Sequence, residues 1–408
     1  MRSRLRRFAI TAATALAVLA STSGVVSASP DVASHDTSTV SVPAPTGPHP
    51  VGVTELHMVD PNRVDPWDSG RRRELMVQVW YPAESSPESS PASSVDPWMP
   101  LGGRQAQHTY LTELGVPESS WELAPSHSYR DRPARSDQGR FPVLINSPGM
   151  GDTTGWSTAQ TEDLASHGYI VVALNHTHEA FAVEFPDGRV EHTVVPLDSP
   201  QEVLRDLLLP TRVADARFVL DQLAAIAAQQ PSAAGRVLPT RLAQSIDLSQ
   251  VGMFGHSLGG STTIQAMHDD PRIAAGVNLD GPVLGSVAVE GTDRPLLMLA
   301  SESSPWFGQP GWEPYWTNNT GLKLPLRVAG TEHMSFCDQQ AILPQVAAAG
   351  LLAADTKTKA VGTIDAQRSI DLQRTYLRAY FDTVFGRHSV DIAETIQRLA
   401  QPEVIPNP

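Results

Sequence analysis

The sequence predicts an α/β protein, with a mainly parallel central sheet and helices packed on both faces. Three observations carry that prediction. From residue 141 onward, short apolar runs alternate with longer amphipathic ones, the order of repeated strand–helix units. Residues 141–146 and 169–174 are nearly all apolar, as strands covered on both faces are. Finally, Gly255-His256-Ser257-Leu258-Gly259-Gly260 follows the apolar run 251–254 and precedes a helical run over 261–268. Strand, sharp turn and helix in that order form a nucleophile elbow, in which a serine is lifted onto a strained turn between glycines.

Residues 1–28 read as an export signal: Arg2, Arg4, Arg6 and Arg7 precede an apolar stretch over 8–19 that is too short to span a bilayer, and Val26-Ser27-Ala28 fits a cleavage site. Residues 29–50, rich in Ser, Thr and Pro, are expected to be a flexible lead-in, and 51–408 a single domain. Residues 73–81 alternate polar and β-forming side chains and predict an early antiparallel strand. A solvated loop over 83–97, a helical turn over 110–114 and an irregular stretch to 140 follow. Beyond the strand at 141–146, the pattern predicts a helix over 158–166, a strand over 169–174 and a long helix over 211–229 that opens after Pro210. After the elbow come strands over 275–279, 295–300 and 325–329, then helices over 364–385 and 389–401.

Composition excludes several partners. The formal charge is −14, and loss of the four arginines of residues 1–28, which hold no acid, takes it to −18. So acidic a chain is expected to avoid nucleic acid and anionic membranes. No segment beyond the leader suggests a stable membrane anchor, and no protein partner is evident. Cys337 is the only cysteine, so no internal disulfide can form; it reads as a small buried side chain.

A serine nucleophile needs a histidine to take its proton and a carboxylate to orient that histidine. After Ser257 the histidines are His268, His333 and His388. His333 follows the strand at 325–329 across a short turn, where the base belongs; His268 lies on the helix behind the elbow and His388 between late helices. Two acids compete. Asp280 ends the strand after the elbow, and Glu302 ends the next one; spacing alone does not separate them. Oxyanion donors are expected from the backbone N–H groups of Met150, in the glycine-rich turn 147–151, and of Leu258, at the start of the helix after Ser257.

Several segments together resemble the plasma-type (group VII) platelet-activating-factor acetylhydrolases, and related secreted bacterial esterases and lipases of the α/β-hydrolase superfamily. They are 141–151, 163–172, the elbow, Leu279-Asp280-Gly281 and Gly330-Thr331-Glu332-His333, with 75–82 extending the likeness toward the N-terminus. The resemblance implies an α/β-hydrolase fold and selects Asp280 as the acid, leaving Glu302 in a supporting place. It also puts Met150 and Leu258 at the oxyanion positions and His333 at the base. One departure stands out: the family's His-Gly-x-Gly is Pro148-Gly149-Met150-Gly151 here.

Trp306, Phe307, Trp312 and Trp316 share one loop, expected to wall the acyl pocket or touch a lipid or polymer surface, or else simply to pack locally. His176-Thr177-His178-Glu179 has metal-like spacing but no third and fourth ligand in view, and reads as a polar strand exit. His256, inside the elbow, reads as a packing residue. The expected function is a secreted serine carboxyl-ester hydrolase that forms an acyl-enzyme and needs no metal or organic cofactor. The resemblance adds short-acyl phospholipids or other short-acyl esters as substrates. An extracellular polyester depolymerase or cutinase-like lipase is the alternative, and an acyltransferase a more distant one.

Overall fold

A computed structural model describes residues 37–85, 94–135, 137, 139–387 and 391–406; the expected leader, residues 1–28, lies outside them. Strands β1 (Ser38–Val40), β2 (Val51–Val64), β3 (Arg72–Pro82), β4 (Val95–Pro97), β5 (Trp121–Leu123) and β6 (Pro125–Arg130) come first. β7 (Phe141–Ser147), β8 (Ile170–Asn175), β9 (Ala182–Glu184), β10 (Val190–His192) and β11 (Ile246–His256) follow. β12 (Ile273–Leu279), β13 (Leu296–Ser301), β14 (Lys323–Val328) and β15 (Val404–Pro406) complete the set.

Eleven of these strands form one sheet in the order β15-β14-β13-β12-β11-β7-β8-β3-β2-β6-β4. The run from β14 through β8 is parallel throughout, and β3 joins it antiparallel, as its alternating sequence predicts. Successive strand residues point to opposite faces, so one strand feeds two cores. Val143 and Ile145 of β7 pack beneath the helix Leu209–Ala227, while Leu144 faces the helix Ala366–Val384. The helix Leu258–Asp269 lies on the first face and Thr158–Ser166 on the second. This is the predicted mainly parallel sheet with helices on both sides.

Five expectations change. The lead-in is packed, not loose, where it is described. Val40 and Val42 are buried beside Trp98, Trp156 and Leu343, and Arg374 donates to the carbonyls of Pro43 and Ala44. The irregular stretch before residue 140 holds β5 and β6, and the helical turn near Tyr110 belongs to the longer helix Leu101–Glu113. Residues 86–93 of the expected solvated loop are not described, but its end forms β4, where buried Asp96 pairs with Arg130. Pro210 does not start its helix: helical structure begins at Gln201 and passes through a π turn at Leu204–Leu208. That wider turn accommodates a proline that has no N–H to donate and whose ring would crowd the preceding turn.

Candidate active site

β11 ends in Gly255-His256, and Ser257 turns the chain at φ 55°, ψ −122° into the helix Leu258–Asp269. A non-glycine residue in this region is strained by about 1–3 kcal/mol and persists only where its surroundings fix it. Here Ser257 N–H donates to the Leu279 carbonyl at 2.9 Å, tying the turn to β12. The flanking glycines are required by close approach: a Cβ at Gly259 would run into the Ser147 carbonyl, and one at Gly255 into the backbone of Gly259.

His333 Nε2 lies 3.0 Å from Ser257 Oγ, and its Nδ1 lies 2.7 Å from Asp280 Oδ2. The three side chains thus form one hydrogen-bonded line across the carboxyl ends of β11, β12 and β14. Asp280, at φ 51°, is buried and also accepts from Ser301 N at 2.9 Å and Ser301 Oγ at 3.1 Å. Burial pushes its carboxyl upward, but the hydrogen bond and charge of His333 and the Ser301 amide more than offset this, leaving it below the ordinary value. For His333 burial pushes downward, and the Asp280 hydrogen bond and charge reverse it, so the imidazole sits above its ordinary 6.5. Its side chain remains 41 % exposed, open to an incoming molecule.

Glu302 does not reach His333. It is exposed and accepts from Gly330 N at 2.6 Å, bracing the turn that carries the histidine. Among the described residues, the Met150 and Leu258 N–H groups donate to no protein acceptor. Their side chains share one apolar cluster with Val195, Leu204, Leu208 and Leu284. Trp306 stands at the site: its Nε1 donates to the Asp280 carbonyl at 2.6 Å, and its ring lies 6.2 Å from that of His333. Phe307, Trp312 and Trp316 instead pack on one another, with ring centroids 4.7 Å and 5.3 Å apart. His268 pairs with Asp269 and Glu290 on the surface, and His388 lies outside the described residues.

The polar strand exit is a buried charge network that the sequence did not reveal. Arg73 donates to Asp215 and Asp65 and to the Thr177 carbonyl. His176 bridges Asp215 and Ser147 Oγ at 3.0 Å and 2.9 Å. Burial and the Arg212 charge hold His176 down at about 4, so the ring is neutral, donating from Nδ1 and accepting on Nε2. Arg212 pairs with Glu179 at 2.6 Å and donates to the carbonyls of Pro148 and Gly149, fixing the turn that presents Met150. The bare count of acids and bases in 176–179 was the only available signal. Among the described residues, Asp152, His256 and Cys337 are the one group with ligand atoms close enough, within 4.8 Å, to hold a metal ion; Asp152 and His256 are already hydrogen-bonded to each other.

A mostly parallel sheet, with a serine lifted at the strand-to-helix turn and a histidine and buried carboxylate aligned behind it, is the architecture of an α/β-hydrolase-fold ester hydrolase. The chain belongs to a particular family of that class: the family model of platelet-activating factor acetylhydrolase, isoform II, matches residues 34–388. A probable 1-alkyl-2-acetylglycerophosphocholine esterase of Arthroderma benhamiae is 27% identical, over 87% of this chain and 91% of that protein. The platelet-activating factor acetylhydrolase of Gallus gallus is 22% identical over 73% of this chain and 74% of its own. A solved ferulic acid esterase from Streptomyces cinnamoneus is 31% identical, with a TM-score of 0.70, covering 90% of this chain and 99% of that one.

Proposed function

We propose that the chain is a secreted serine carboxyl-ester hydrolase acting through an acyl-enzyme on short-acyl esters, short-acyl phospholipids included. The observation that carries the reading is the Ser257–His333–Asp280 line, with separations of 3.0 Å and 2.7 Å. Ser257 Oγ attacks the ester carbonyl while His333 Nε2 takes its proton; Asp280 fixes the tautomer and balances the imidazolium. The carbonyl oxygen becomes an oxyanion held by the N–H groups of Met150 and Leu258. His333 then passes the proton to the departing alkoxide, and a water, deprotonated by the same nitrogen, releases the acid. Secretion rests on residues 1–28 and is tested by N-terminal sequencing of the protein recovered from culture medium: a start near residue 29 supports export, and an intact Met1 contradicts it.

The substrate class is read from kinship with the acetylhydrolases. A second reading, esters of bulkier aromatic acids or of polymers, is favoured by Trp306 beside His333 and by the identity to the ferulic acid esterase. Initial rates on p-nitrophenyl acetate, butyrate and octanoate, a feruloyl ester and a short-acyl phosphatidylcholine separate the two. A steep fall beyond short chains supports the first reading; preference for the feruloyl ester supports the second. Ser257→Ala should lower kcat on every one of them by several orders of magnitude, and a variant with wild-type rates contradicts both.

A further inference from the structure

A second carboxylate–imidazole pair lies directly behind the first. His256 precedes Ser257 in the chain, and both it and Asp152 are buried. His256 Nδ1 lies 3.1 Å from Asp152 Oδ2, and its Nε2 lies 3.0 Å from the backbone carbonyl oxygen of His333. The ring is thus held between a carboxylate oxygen on one side and a backbone carbonyl oxygen on the other. The same Asp152 oxygen accepts from Gly149 N at 3.0 Å, one residue before Met150. The two imidazole rings lie 4.6 Å apart at 42°. One side chain therefore touches all three moving parts of the proposed reaction: the elbow through its own backbone, the oxyanion turn through Asp152, and the base through the carbonyl of His333.

We propose that His256, held by Asp152, is a positioning residue that sets the distance between the oxyanion turn and the base. This rests on the serine-hydrolase reading of the same site. The physical case is one of leverage. The base hangs on a short turn after β14, which Glu302 holds at Gly330 and His256 holds at His333 itself. A Cβ at Gly149 would collide with Asp152 and come within 3.1 Å of His256 Nδ1, so the three groups have no slack. Loss of the bridge lets His333 drift from Ser257 Oγ, and a misplacement of ~1 Å costs about 10²-fold in rate.

The test compares wild type with His256→Ala, Asp152→Asn, the double variant and His256→Gln, on p-nitrophenyl acetate, with thermal melting alongside. Gln keeps a donor near the Nε2 position and so retains the tether to His333. The clamp predicts a fall in kcat of roughly 10–100-fold with KM within about 2-fold, because positioning acts after binding. It also predicts that the double variant loses no more than the worse single one, since the pair acts as a unit, and that Gln recovers part of kcat. A kcat for His256→Ala within about 2-fold of wild type, a loss confined to KM, or additive losses in the double variant each overturn it. If His256→Ala does not fold, the Asp152→Asn and Gln variants decide by the same split. Ser257→Ala is measured in parallel: wild-type rates there sink the serine reading itself, whereas an inactive Ser257→Ala beside an unimpaired His256→Ala sinks the clamp alone.

Discussion

Asp280 and His333 hold each other's protonation states apart, and the direction of each shift makes a prediction. His333 must be neutral to accept a proton from Ser257, and Asp280 raises it above 6.5. The acid limb of kcat/KM against pH should therefore have its midpoint above 6.5. Asp280→Asn removes the charge that raises it, so the limb should move to lower pH while kcat falls by about 10⁴-fold. The pH profiles of both forms check this; an unshifted limb contradicts the pairing. Stability follows the same pair. His333's contribution is full below 6.5 and lost as pH rises through its higher folded value. That of Asp280 is present above 3.8 and lost as pH falls through its lower folded value. That Ser257 and His333 would be brought together was legible because strand order constrains which loops meet; spacing left Asp280 and Glu302 open, and only the resemblance selected Asp280. His256 was not: its sequence setting names the residue before the serine but not the acceptors folded onto both sides of its ring.

At the scale of elements, the turn that presents Met150 is held from below by the helix Leu209–Ala227, through Arg212. Arg212 and Glu179 are both fully buried, and Glu179 has one carboxylate oxygen without a partner. Removing the guanidinium leaves a buried acid uncompensated, a change that costs about 3–5 kcal/mol. Arg212→Met should therefore lower the denaturant midpoint sharply, and kcat should drop with it because the Pro148 and Gly149 carbonyls lose their donor. A variant of wild-type stability contradicts this account of the network. Strands buried on both faces were easy to place, since an apolar run of that length leaves few alternatives. Elements that cover only one side were harder. The helices Gln339–Ala348 and Ala354–Val361 and the edge strand β15 were not anticipated, because short segments with one buried side carry too little pattern. The register of the network at 176–179 was also invisible, since its partners come from β3 and a helix far along the chain.

Across the whole molecule, the N-terminal segment straps one face of the protein. Thr46 N and Oγ1 both donate to Asp163 at 2.8 Å, and Gly47 N donates to Ser166 Oγ at 2.9 Å, locking the strap to the helix Thr158–Ser166. Burying Val40 and Val42 is worth about 1.5–3 kcal/mol each, so a chain beginning at residue 48 should melt well below one beginning at 29. Equal melting temperatures contradict the strap. The segment's Ser/Thr/Pro composition suggested a loose lead-in because its few small apolar residues are too scattered to make a pattern; the partners of Val40 and Val42 are distant in the sequence. No helix of the described residues is long and apolar enough to cross a membrane. What ties strap, network and clamp together is a single claim, that Ser257 is the nucleophile of an acyl-enzyme. Intact-mass analysis and peptide mapping after treatment with a fluorophosphonate test it most directly. A nucleophilic Ser257 takes up one phosphonyl group per chain, with activity lost in proportion. Full inactivation with Ser257 unmodified, or labelling of Ser257 that leaves hydrolysis intact, would contradict it.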